Sequence, residues 1–306
     1  MKFLFIVLLL TCSSSYEYNK KKVFDLQGHR GARGLSPENT LPAFKTAMDL
    51  KITTLELDTV LTKDKILVIH HDTSLNPELC QYKTGEAIIK KKISELNYSE
   101  IKKLDCGSKL NKKFPKQNLV PLTEIPTLKE FLIYVKNYEK TNKIKQLFQF
   151  NMETKIDQDF TQQELNDYSN LITKEIQEAN VVERATVQSF VLEVLPLIKK
   201  INSKIKTSAL FFPNTLEYIF LKLNLNYPKE KIFMKAKTVN ADIISPYHEY
   251  IDENFIQLAR KNQIKVIPWT INDKKRMLEL YRLGVDGIIS DYPDLLLETL
   301  NEYQKE

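Results

Sequence analysis

Two acidic residues, Glu56 and Asp58, stand two positions apart in an apolar, β-prone run from Thr54 to Val60. Because successive side chains of a strand point to opposite faces, both carboxylates lie on the same face. Two buried negative charges side by side repel strongly unless a cation, or a salt bridge to lysine or arginine, offsets them. With Glu153 later in the chain, they form a set of carboxylates without cysteine, which favours Ca²⁺ or Mg²⁺ over zinc.

Histidines and cationic side chains accompany the acidic residues. His29 and His71 are candidates for a general base and a general acid, since imidazole titrates near neutral pH, although each alone could be a structural hydrogen-bonding residue. Arg30 and Lys155 supply fixed positive charge, which stabilises the anionic phosphoryl oxygens of a transition state. Together these groups predict cleavage of a phosphodiester. A zinc protease would need a closer histidine cluster, and a sugar hydrolase would not need the cations.

The elements that must bring these residues together alternate between short apolar, β-prone runs and amphipathic helical stretches. Each polar group, including Gln188 and Trp269, falls at or near the C-terminal end of a predicted strand, where the active sites of barrels are built. Alternation over the whole body, without a glycine-rich dinucleotide turn, predicts an α/β fold closed as a TIM (β/α)8 barrel. The predicted strands cover residues 23–28, 54–60, 66–71, 146–153, 185–189, 206–210, 242–245, 265–270 and 287–290, and the predicted helices 41–50, 128–138, 162–179, 192–201, 252–261, 274–283 and 294–303.

The first residues have the pattern of a secretory signal: Met1-Lys2, an apolar run from Phe3 to Leu10, and then small polar residues. That run is shorter than the ~20 residues that cross a bilayer. Residues 9–12 resemble a bacterial lipoprotein box, in which Cys12 is lipidated; an ordinary signal cleaved nearby is the alternative. We therefore expect export from a bacterial cell, to the periplasm or to a membrane through a lipid anchor. The predicted organisation is a signal in residues 1–15, a polar tether in 16–22 and one domain in 23–306.

A lysine-rich insertion from about residue 75 to 126 interrupts the alternation of strands and helices. Segments this long usually serve a function or have structure of their own, and a helix-like stretch runs here from Ser94 to Leu104. The insertion holds Cys80 and Cys106, an even pair that favours a disulfide in an exported chain; two buried free thiols are the alternative. Closing a loop of about 25 residues would stabilise the protein by roughly 3 kcal/mol.

Composition sets the broad class of the protein. The chain has 306 residues, 42% hydrophobic and 27% charged, with 45 Lys and Arg against 39 Asp and Glu and a net charge of +6. This is the composition of a globular protein, which excludes a disordered chain, a fibrous repeat and a multi-span membrane protein. The lysines are spread in short runs rather than gathered in one stripe, so we expect no nucleic-acid partner.

Motifs in a fixed order resemble the signature of the glycerophosphodiester phosphodiesterase family, in its bacterial periplasmic or lipoprotein form. The resemblance covers essentially the whole predicted domain. It rests on Gly28-His29-Arg30-Gly31-Ala32, Pro37-Glu38-Asn39-Thr40, Leu55-Glu56-Leu57-Asp58, Thr62-Lys63-Asp64, Val68-Ile69-His70-His71-Asp72, Met152-Glu153-Thr154-Lys155, Val187-Gln188-Ser189-Phe190, Trp269-Thr270-Ile271-Asn272 and the segment from Gly284 to Pro293.

The resemblance implies a TIM barrel whose insertion, about 75–126, follows an early strand. It also implies roles for individual residues. The family's histidine directly precedes an aspartate, which selects His71 over His70. The implied assignments are a catalytic pair in His29 and His71, metal ligands in Glu56, Asp58 and Glu153, and substrate contacts in Arg30, Lys155, Gln188 and Trp269.

The implied reaction is hydrolysis of a glycerophosphodiester to sn-glycerol 3-phosphate and an alcohol, with one divalent cation, Ca²⁺ or Mg²⁺, as cofactor. In the family's mechanism the substrate's own 2-hydroxyl attacks phosphorus, and water opens the cyclic phosphate. Two other interpretations remain open. One is a phospholipase D-type enzyme acting on lysolipids or sphingolipids, which would need an apolar channel at the barrel mouth. The other is a surface binding or adhesin lipoprotein that kept the fold without the activity.

Overall fold

The computed structural model describes residues 24–157, 159–223, 225 and 227–303. The predicted signal, the tether and Cys12 lie outside these residues. Within the described ranges, no helix is both long enough and apolar enough to cross a membrane. The strands are β1 Asp25–Gly28, β2 Thr54–Leu61, β3 Leu67–Ile69, β4 Gln81–Tyr82, β5 Leu104–Asp105, β6 Gln149–Thr154, β7 Ala185–Ser189, β8 Lys206–Phe211, β9 Ile243–Pro246, β10 Lys265–Val266 and β11 Gly287–Ser290. The α-helices are α1 Leu41–Asp49, α2 Tyr98–Ile101, α3 Leu128–Thr141, α4 Gln162–Glu178, α5 Val194–Ile201, α6 Thr215–Lys222, α7 Tyr227–Thr238, α8 Glu253–Lys261, α9 Lys274–Leu283 and α10 Pro293–Tyr303.

Eight parallel strands form a nearly closed barrel surrounded by helices. Their order around the sheet is β10, β9, β8, β7, β6, β2, β1 and β11. Backbone hydrogen bonds bridge the two end strands: Asp286 N–H donates to the Val266 carbonyl at 2.8 Å, and Ile289 N–H donates to the Pro268 carbonyl at 3.0 Å. The predicted TIM barrel is therefore confirmed, and the carboxyl ends of all eight strands meet at one mouth.

The predicted strand 66–71 does not belong to the barrel. Its central residues form β3, which runs antiparallel to the far end of β2, with Thr59 opposite Ile69. The physical reason is the length of the connection: four or five residues suffice for a hairpin, whereas a parallel crossover needs a dozen or more. This hairpin places His70 and His71 directly beyond β3, over the mouth of the barrel.

Apolar side chains fill the space between the barrel and its helices. In one core the Phe44 and Phe131 rings lie 4.4 Å apart, and Phe131 packs edge-on against Phe150 of β6. A second core lies on the other side, where Phe233 of α7 packs against Phe255 of α8. The strands thus turn their apolar residues outward to the helices, which leaves the inward face free for the polar residues of the site.

Helices α6 and α7 were not predicted from the sequence. None of the side chains of α6 is buried, although the helix is rich in leucine, isoleucine and aromatic residues. Sequence patterns reveal a helix by an apolar face that packs on the core and a polar face in water. Helix α6 lacks that arrangement, so its pattern did not indicate a surface helix.

The insertion has a small core of its own, built over the hairpin of β2 and β3. The predicted helix from Ser94 to Leu104 is in fact a 3₁₀ turn at Ile93–Glu95, the short α2 and then β5. Asn97 is the N-cap of α2 and forms a capping box with Glu100, so a new helix begins here and the predicted helix is divided into two parts. Cys80 and Cys106 form a disulfide inside this core.

Replacing both Cys80 and Cys106 by alanine is expected to lower the stability of the insertion by about 3 kcal/mol, since the disulfide closes a loop with a sequence separation of 26. Amide hydrogen exchange across residues 75–126 would measure this as faster exchange in the variant. Amides in the barrel strands serve as the internal control. Equal protection in both proteins would contradict the prediction.

Glu175 on α4 is a second stability determinant, because burial raises its pKa to about 7 and its Oε2 atom has no hydrogen-bond partner among the described residues. The folded protein therefore binds a proton that the unfolded chain releases, and stability falls as pH rises between about 4.5 and 7. We expect Glu175→Gln to raise the free energy of unfolding by about 1 kcal/mol at pH 8, a value discounted for partial exposure. At pH 4 the gain should vanish. Urea unfolding at both pH values tests this, with Glu86→Gln, at an exposed position in the insertion, as control.

Candidate active site

The site begins in the turn after β1, where backbone sterics fix the residue types. A Cβ atom on Gly28 would lie 2.1 Å from the Gly31 carbonyl oxygen, and one on Gly31 would lie 2.7 Å from the backbone of Ala43. Both positions therefore require glycine. Arg30 between them has a φ of 51°, a left-handed conformation that is costly for a non-glycine residue. This conformation directs the Arg30 N–H to Glu56 Oε2 at 2.7 Å.

Parallel pairing of β2 with β6 brings the three candidate metal ligands together. In this register Asp58 lies opposite Glu153, and Glu56 is two residues before Asp58 on the same face. One oxygen from each carboxylate lies within 4.8 Å of the others, and all three side chains are buried. The sequence prediction that Glu56 and Asp58 share a face is confirmed, and the cluster could bind an ion.

Each carboxylate in the cluster has a different set of partners. Glu56 Oε1 accepts a hydrogen bond from Gln188 Nε2 at 2.9 Å. Asp58 Oδ2 accepts one from Asn39 Nδ2 at 2.7 Å and lies 3.3 Å from Arg30 Nε. Lys155 Nζ lies 3.1 Å from Asp58 Oδ1 and also contacts Glu153 Oε1. The sequence left open whether a cation or a salt bridge to lysine or arginine offsets the buried negative charges. Salt bridges of this kind are present at Asp58 and Glu153.

These surroundings separate the pKa values of the acidic residues. Burial raises the pKa of Glu56, and the negative charges of Asp58 and Glu153 raise it further. Burial acts in the same direction on Asp58, but Lys155 and Arg30 outweigh it and hold the pKa of Asp58 below its usual range. For Glu153 burial prevails over Lys155 and its pKa is raised. Negative charge is thus in excess around Glu56.

The cluster fits a divalent cation on two grounds. The first is charge: the three buried carboxylates face Lys155 and Arg30, and Arg30 is shared with Glu38, so the cluster keeps an excess of negative charge that a cation would offset. The second is an unsatisfied acceptor, because Asp58 Oδ1 has no hydrogen-bond partner of suitable geometry among the described residues, although Lys155 lies near. Oxygen-only ligands with an acceptor to spare suit Ca²⁺ or Mg²⁺.

His29 is held in one orientation by residues from the other end of the chain. Its Nδ1–H donates to Asp291 Oδ1 at 2.6 Å, which leaves Nε2 with the lone pair of the neutral ring. Arg33 Nε donates to the same oxygen at 2.6 Å, and Asn272 Nδ2 donates to Asp291 Oδ2 at 2.7 Å. Burial, followed by the charge of Arg33, lowers the pKa of His29 to about 4. His29 is therefore neutral at pH 7, the form that a general base requires.

His71 has a similar arrangement with its own neighbour. Its Nδ1–H donates to Asp72 Oδ1 at 2.8 Å, and this bond helps to lower the pKa of Asp72 to about 2. His71 and Lys155 both line a cavity of about 480 Å³ beside the cluster. His70 is buried, is not among the residues that line this cavity, and bonds through Nδ1 to the Asp72 carbonyl oxygen. Catalysis by His71 rather than by His70 stays a prediction.

Gln188 and Trp269 occupy different positions from one another. Gln188 is buried, and its amide joins Glu56 to Asn151, so in this structure it orients a candidate ligand. Trp269 lies at the mouth, where its Nε1–H donates to the Ser245 carbonyl oxygen at 2.9 Å. Direct substrate contact stays a prediction for both residues.

Three residues that position the site received no role in the sequence analysis. Glu38 holds Arg30, Asn39 holds Asp58, and Asp291 holds His29. All three stand inside the motifs that carried the family resemblance. The sequence could have indicated them, because each is an acidic or amide residue inside a motif, and a hydrophobic core does not require such residues.

Comparisons with known proteins agree with this geometry. The Glycerophosphoryl diester phosphodiesterase family matches residues 29–295. A glycerophosphodiester phosphodiesterase of Caldanaerobacter subterraneus subsp. tengcongensis is 30% identical over 277 residues, which cover 90% of this chain and 96% of that protein.

Two solved structures share the fold. One, from Silicibacter pomeroyi, superposes with a TM-score of 0.83 at 24% identity, over 93% of this chain and 95% of that one. The other, a phosphodiesterase of Oleispira antarctica in complex with the product sn-glycerol-3-phosphate, gives 0.69 at 21% identity, over 90% and 96%. The resemblance seen in the motifs is thereby confirmed. The chain belongs to the glycerophosphoryl diester phosphodiesterase family of enzymes.

Proposed function

We propose that this protein hydrolyses glycerophosphodiesters to sn-glycerol 3-phosphate and a free alcohol such as choline or ethanolamine. The observation that carries the proposal is the buried cluster of Glu56, Asp58 and Glu153, because Lys155, which contacts this cluster, lines one cavity together with His71. Carboxylates flanked by two histidines and two fixed cations suit an anionic phosphoryl centre. The name of the Caldanaerobacter relative and the product bound to the Oleispira antarctica protein support this class of substrate.

Glu56, Asp58 and Glu153 would hold one divalent cation, Ca²⁺ or Mg²⁺. When bound, such an ion polarises a phosphoryl oxygen and neutralises negative charge. The protein prepares the three ligands with its own residues: Gln188 and the Arg30 N–H fix Glu56, and Asn39 fixes Asp58. Ligands held in this way need little reorganisation on binding.

The two histidines would move the protons of the reaction. One ring takes the proton of the substrate's 2-hydroxyl as its oxygen attacks phosphorus. The other ring gives a proton to the oxygen of the leaving alcohol as the bond between that oxygen and phosphorus breaks. His29 and His71 share these two roles, one as the base and the other as the acid. Water then opens the cyclic phosphate with the proton roles reversed. Arg30 and Lys155 supply the positive charge that the phosphoryl oxygens need.

A diester without the vicinal hydroxyl is expected to be a poor substrate. For 2-deoxyglycerophosphocholine we expect kcat/KM to fall roughly 1,000-fold, because intramolecular attack depends on a nucleophile already placed in the substrate. Release of choline from the two choline compounds, and of ethanolamine from the control, measured with the same enzyme sample, tests this. Glycerophosphoethanolamine, which keeps the hydroxyl, serves as control and should stay within about tenfold of glycerophosphocholine. Comparable turnover of the deoxy compound would exclude this mechanism.

A lysophospholipid or sphingolipid, cleaved as by a phospholipase D, is the second candidate substrate. It is favoured by aromatic rings around Trp269: Phe190 at 5.5 Å, Phe212 at 5.9 Å and Tyr247 at 6.1 Å between centroids. These rings give an acyl chain an apolar surface around Trp269. Comparing kcat/KM for lysophosphatidylcholine and glycerophosphocholine decides between the two. An inactive binding protein is not proposed, since the chain belongs to a family of enzymes.

We also propose that the protein is exported and anchored through a lipid on Cys12. The support is the sequence pattern of residues 1–15. Metabolic labelling with a radioactive fatty acid, compared between the wild type and Cys12→Ser, measures the lipid directly. Equal labelling of the two proteins, or none in either, would overturn the anchor.

A further inference from the structure

A row of hydrogen-bonded side chains crosses the interior of the barrel, from the N-terminal end of β1 to the carboxylate cluster. Its members lie on β1, β6, β7 and β2 and are, in order, Asp25, Gln27, Asn151, Gln188 and Glu56. We call these five residues the interior chain. Its three amide side chains are at most 2% exposed. Because buried amides bond to protein groups rather than to solvent, their partners decide which way each amide is turned.

The end of the interior chain far from the mouth is a carboxylate. Asp25 Oδ2 accepts a hydrogen bond from Gln27 Nε2 at 2.8 Å, and Asp25 Oδ1 accepts one from the Thr54 hydroxyl at 2.6 Å. Burial raises the pKa of Asp25, and the positive charges of Lys265 and Lys206 counteract this rise. The two lysines line one cavity of about 90 Å³ with Asp25. Since both oxygens of Asp25 accept, the Gln27 amide turns its nitrogen to Asp25 and its oxygen to the interior.

The other end of the interior chain is also a carboxylate, that of Glu56 in the cluster. Its Oε1 accepts from Gln188 Nε2 at 2.9 Å, and its Oε2 accepts from the Arg30 backbone N–H at 2.7 Å. Both oxygens of Glu56 are therefore acceptors as well. The Gln188 amide accordingly turns its nitrogen to Glu56 and its oxygen away from the cluster.

Asn151 lies where the two halves of the interior chain meet. Gln27 and Gln188 each present a carbonyl oxygen to it, so the residue between them must donate two hydrogen bonds. Asn151 Nδ2 does so, to Gln27 Oε1 at 2.8 Å and to Gln188 Oε1 at 3.0 Å. The Oδ1 atom of Asn151 is buried and has no hydrogen-bond partner among the described residues, so its amide is held by donation alone. Among uncharged side chains, only asparagine and glutamine carry two hydrogens on one nitrogen.

We propose that Asn151 is a positioning residue for the cation site. By donating to Gln188 it keeps the nitrogen of that amide on Glu56, and so holds Glu56 in place within the cluster. Asn151 itself makes no hydrogen bond to Glu56, Asp58 or Glu153, all of which are described, so its effect passes through Gln188. This role rests on the cation site proposed above, and it adds to that site a residue from inside the barrel.

Binding of Ca²⁺, and in a second series of Mg²⁺, to ion-free full-length protein tests this role by isothermal titration calorimetry. The decisive variant is Asn151→Leu, which keeps a side chain of similar size and loses both donated bonds. We expect the Kd for the ion to rise at least about tenfold, as for loss of other groups that orient a metal ligand. The matched control is Ser208→Ala, since Ser208 is buried opposite Gln188 on β8 but bonds to Ser245, and it should bind the ion as the wild type does.

A second background separates positioning from a general loss of packing. In a protein that already carries Gln188→Met, Asn151→Leu should change the Kd by less than about twofold, because no amide is left to orient. A residue that only supports the barrel would weaken binding by the same factor in both backgrounds. Gln27→Met is the second variant, in case Asn151→Leu does not fold. It removes one of the two acceptors of Asn151 and should raise the Kd roughly threefold, the effect of one hydrogen bond.

Three results would overturn this role of Asn151. An unchanged Kd in Asn151→Leu, with binding by the wild type, would remove Asn151 from the site and leave the cation proposal intact. An equal rise in Kd in both backgrounds would make the role of Asn151 structural. Binding of neither ion by the wild type would overturn the cation site, and the role of Asn151 with it.

Discussion

Replacing His29 by alanine is expected to lower kcat/KM for glycerophosphocholine by roughly 1,000-fold, within the range for removal of a general acid or base. The physical reason is the fixed ring: Asp291 binds Nδ1–H at 2.6 Å, and Nε2 is left to exchange a proton with substrate. Alanine removes that atom and leaves the cluster of carboxylates in place. Release of glycerol 3-phosphate in a coupled assay measures the effect.

Two comparisons make this prediction specific. His248→Ala removes a histidine that stacks on Tyr247 outside the cluster, and it should stay within about threefold of the wild type. His71→Ala should lose as much activity as His29→Ala, whereas the double variant should lose little more, since residues acting as a unit are not additive. Near-normal activity of His29→Ala, with unchanged thermal stability, would remove His29 from the reaction.

Removing the cation is expected to have an effect of similar size. After treatment with EDTA, activity should fall by roughly 100-fold or more and return with Ca²⁺ or Mg²⁺, because the ion neutralises the excess charge around Glu56. The same ion should stabilise the folded protein by about 2.7 kcal/mol at a hundred times its Kd. Differential scanning calorimetry with and without the ion measures this as a rise of several degrees in Tm.

Glu153→Gln distinguishes binding of the ion at the carboxylate cluster from a general effect of added salt. Glutamine keeps an oxygen for Lys155 but lowers the charge of the ligand set, so both the activity and the rise in Tm should be largely lost. Glu298→Gln on the exposed face of α10, where Glu298 pairs with Lys274, is the matched control and should respond as the wild type does. An equal rise in Tm for Glu153→Gln would place the ion elsewhere.

Much of the fold was predictable because local patterns agreed with the tertiary structure. Thr127 and Thr161 each begin a helix with a capping box, through Glu130 and Glu164, and the predicted helices start where these caps lie. The barrel strands are short apolar runs between such helices, which is what a parallel sheet buried on both faces requires. The predicted strand 66–71 is present as β3 in residues 67–69, but it pairs antiparallel to β2 outside the barrel, because the alternation of residues does not reveal the direction in which a strand pairs.

The candidate site was predictable in its residue types and not in its connections. His29 follows β1, and Glu56, Asp58 and Glu153 lie on the paired strands β2 and β6, so the parallel barrel brings them together. His71 reaches the site on the hairpin of β2 and β3 instead. The bond between His29 and Asp291 joins residues 262 positions apart, and nothing local to either residue indicates it. Gln188 illustrates the same limit, since only the structure shows its amide bridging Glu56 and Asn151.

By itself, the sequence determined which chemical groups are available: buried carboxylates on one strand face, two histidines beside fixed cations, and glycines that allow the turn at Arg30. The tertiary structure alone decided which groups meet. It set Asp58 opposite Glu153 through strand register and His29 on Asp291 through closure of the barrel. The reason is that propensity and spacing act within a few residues, whereas pairing and burial depend on the whole chain.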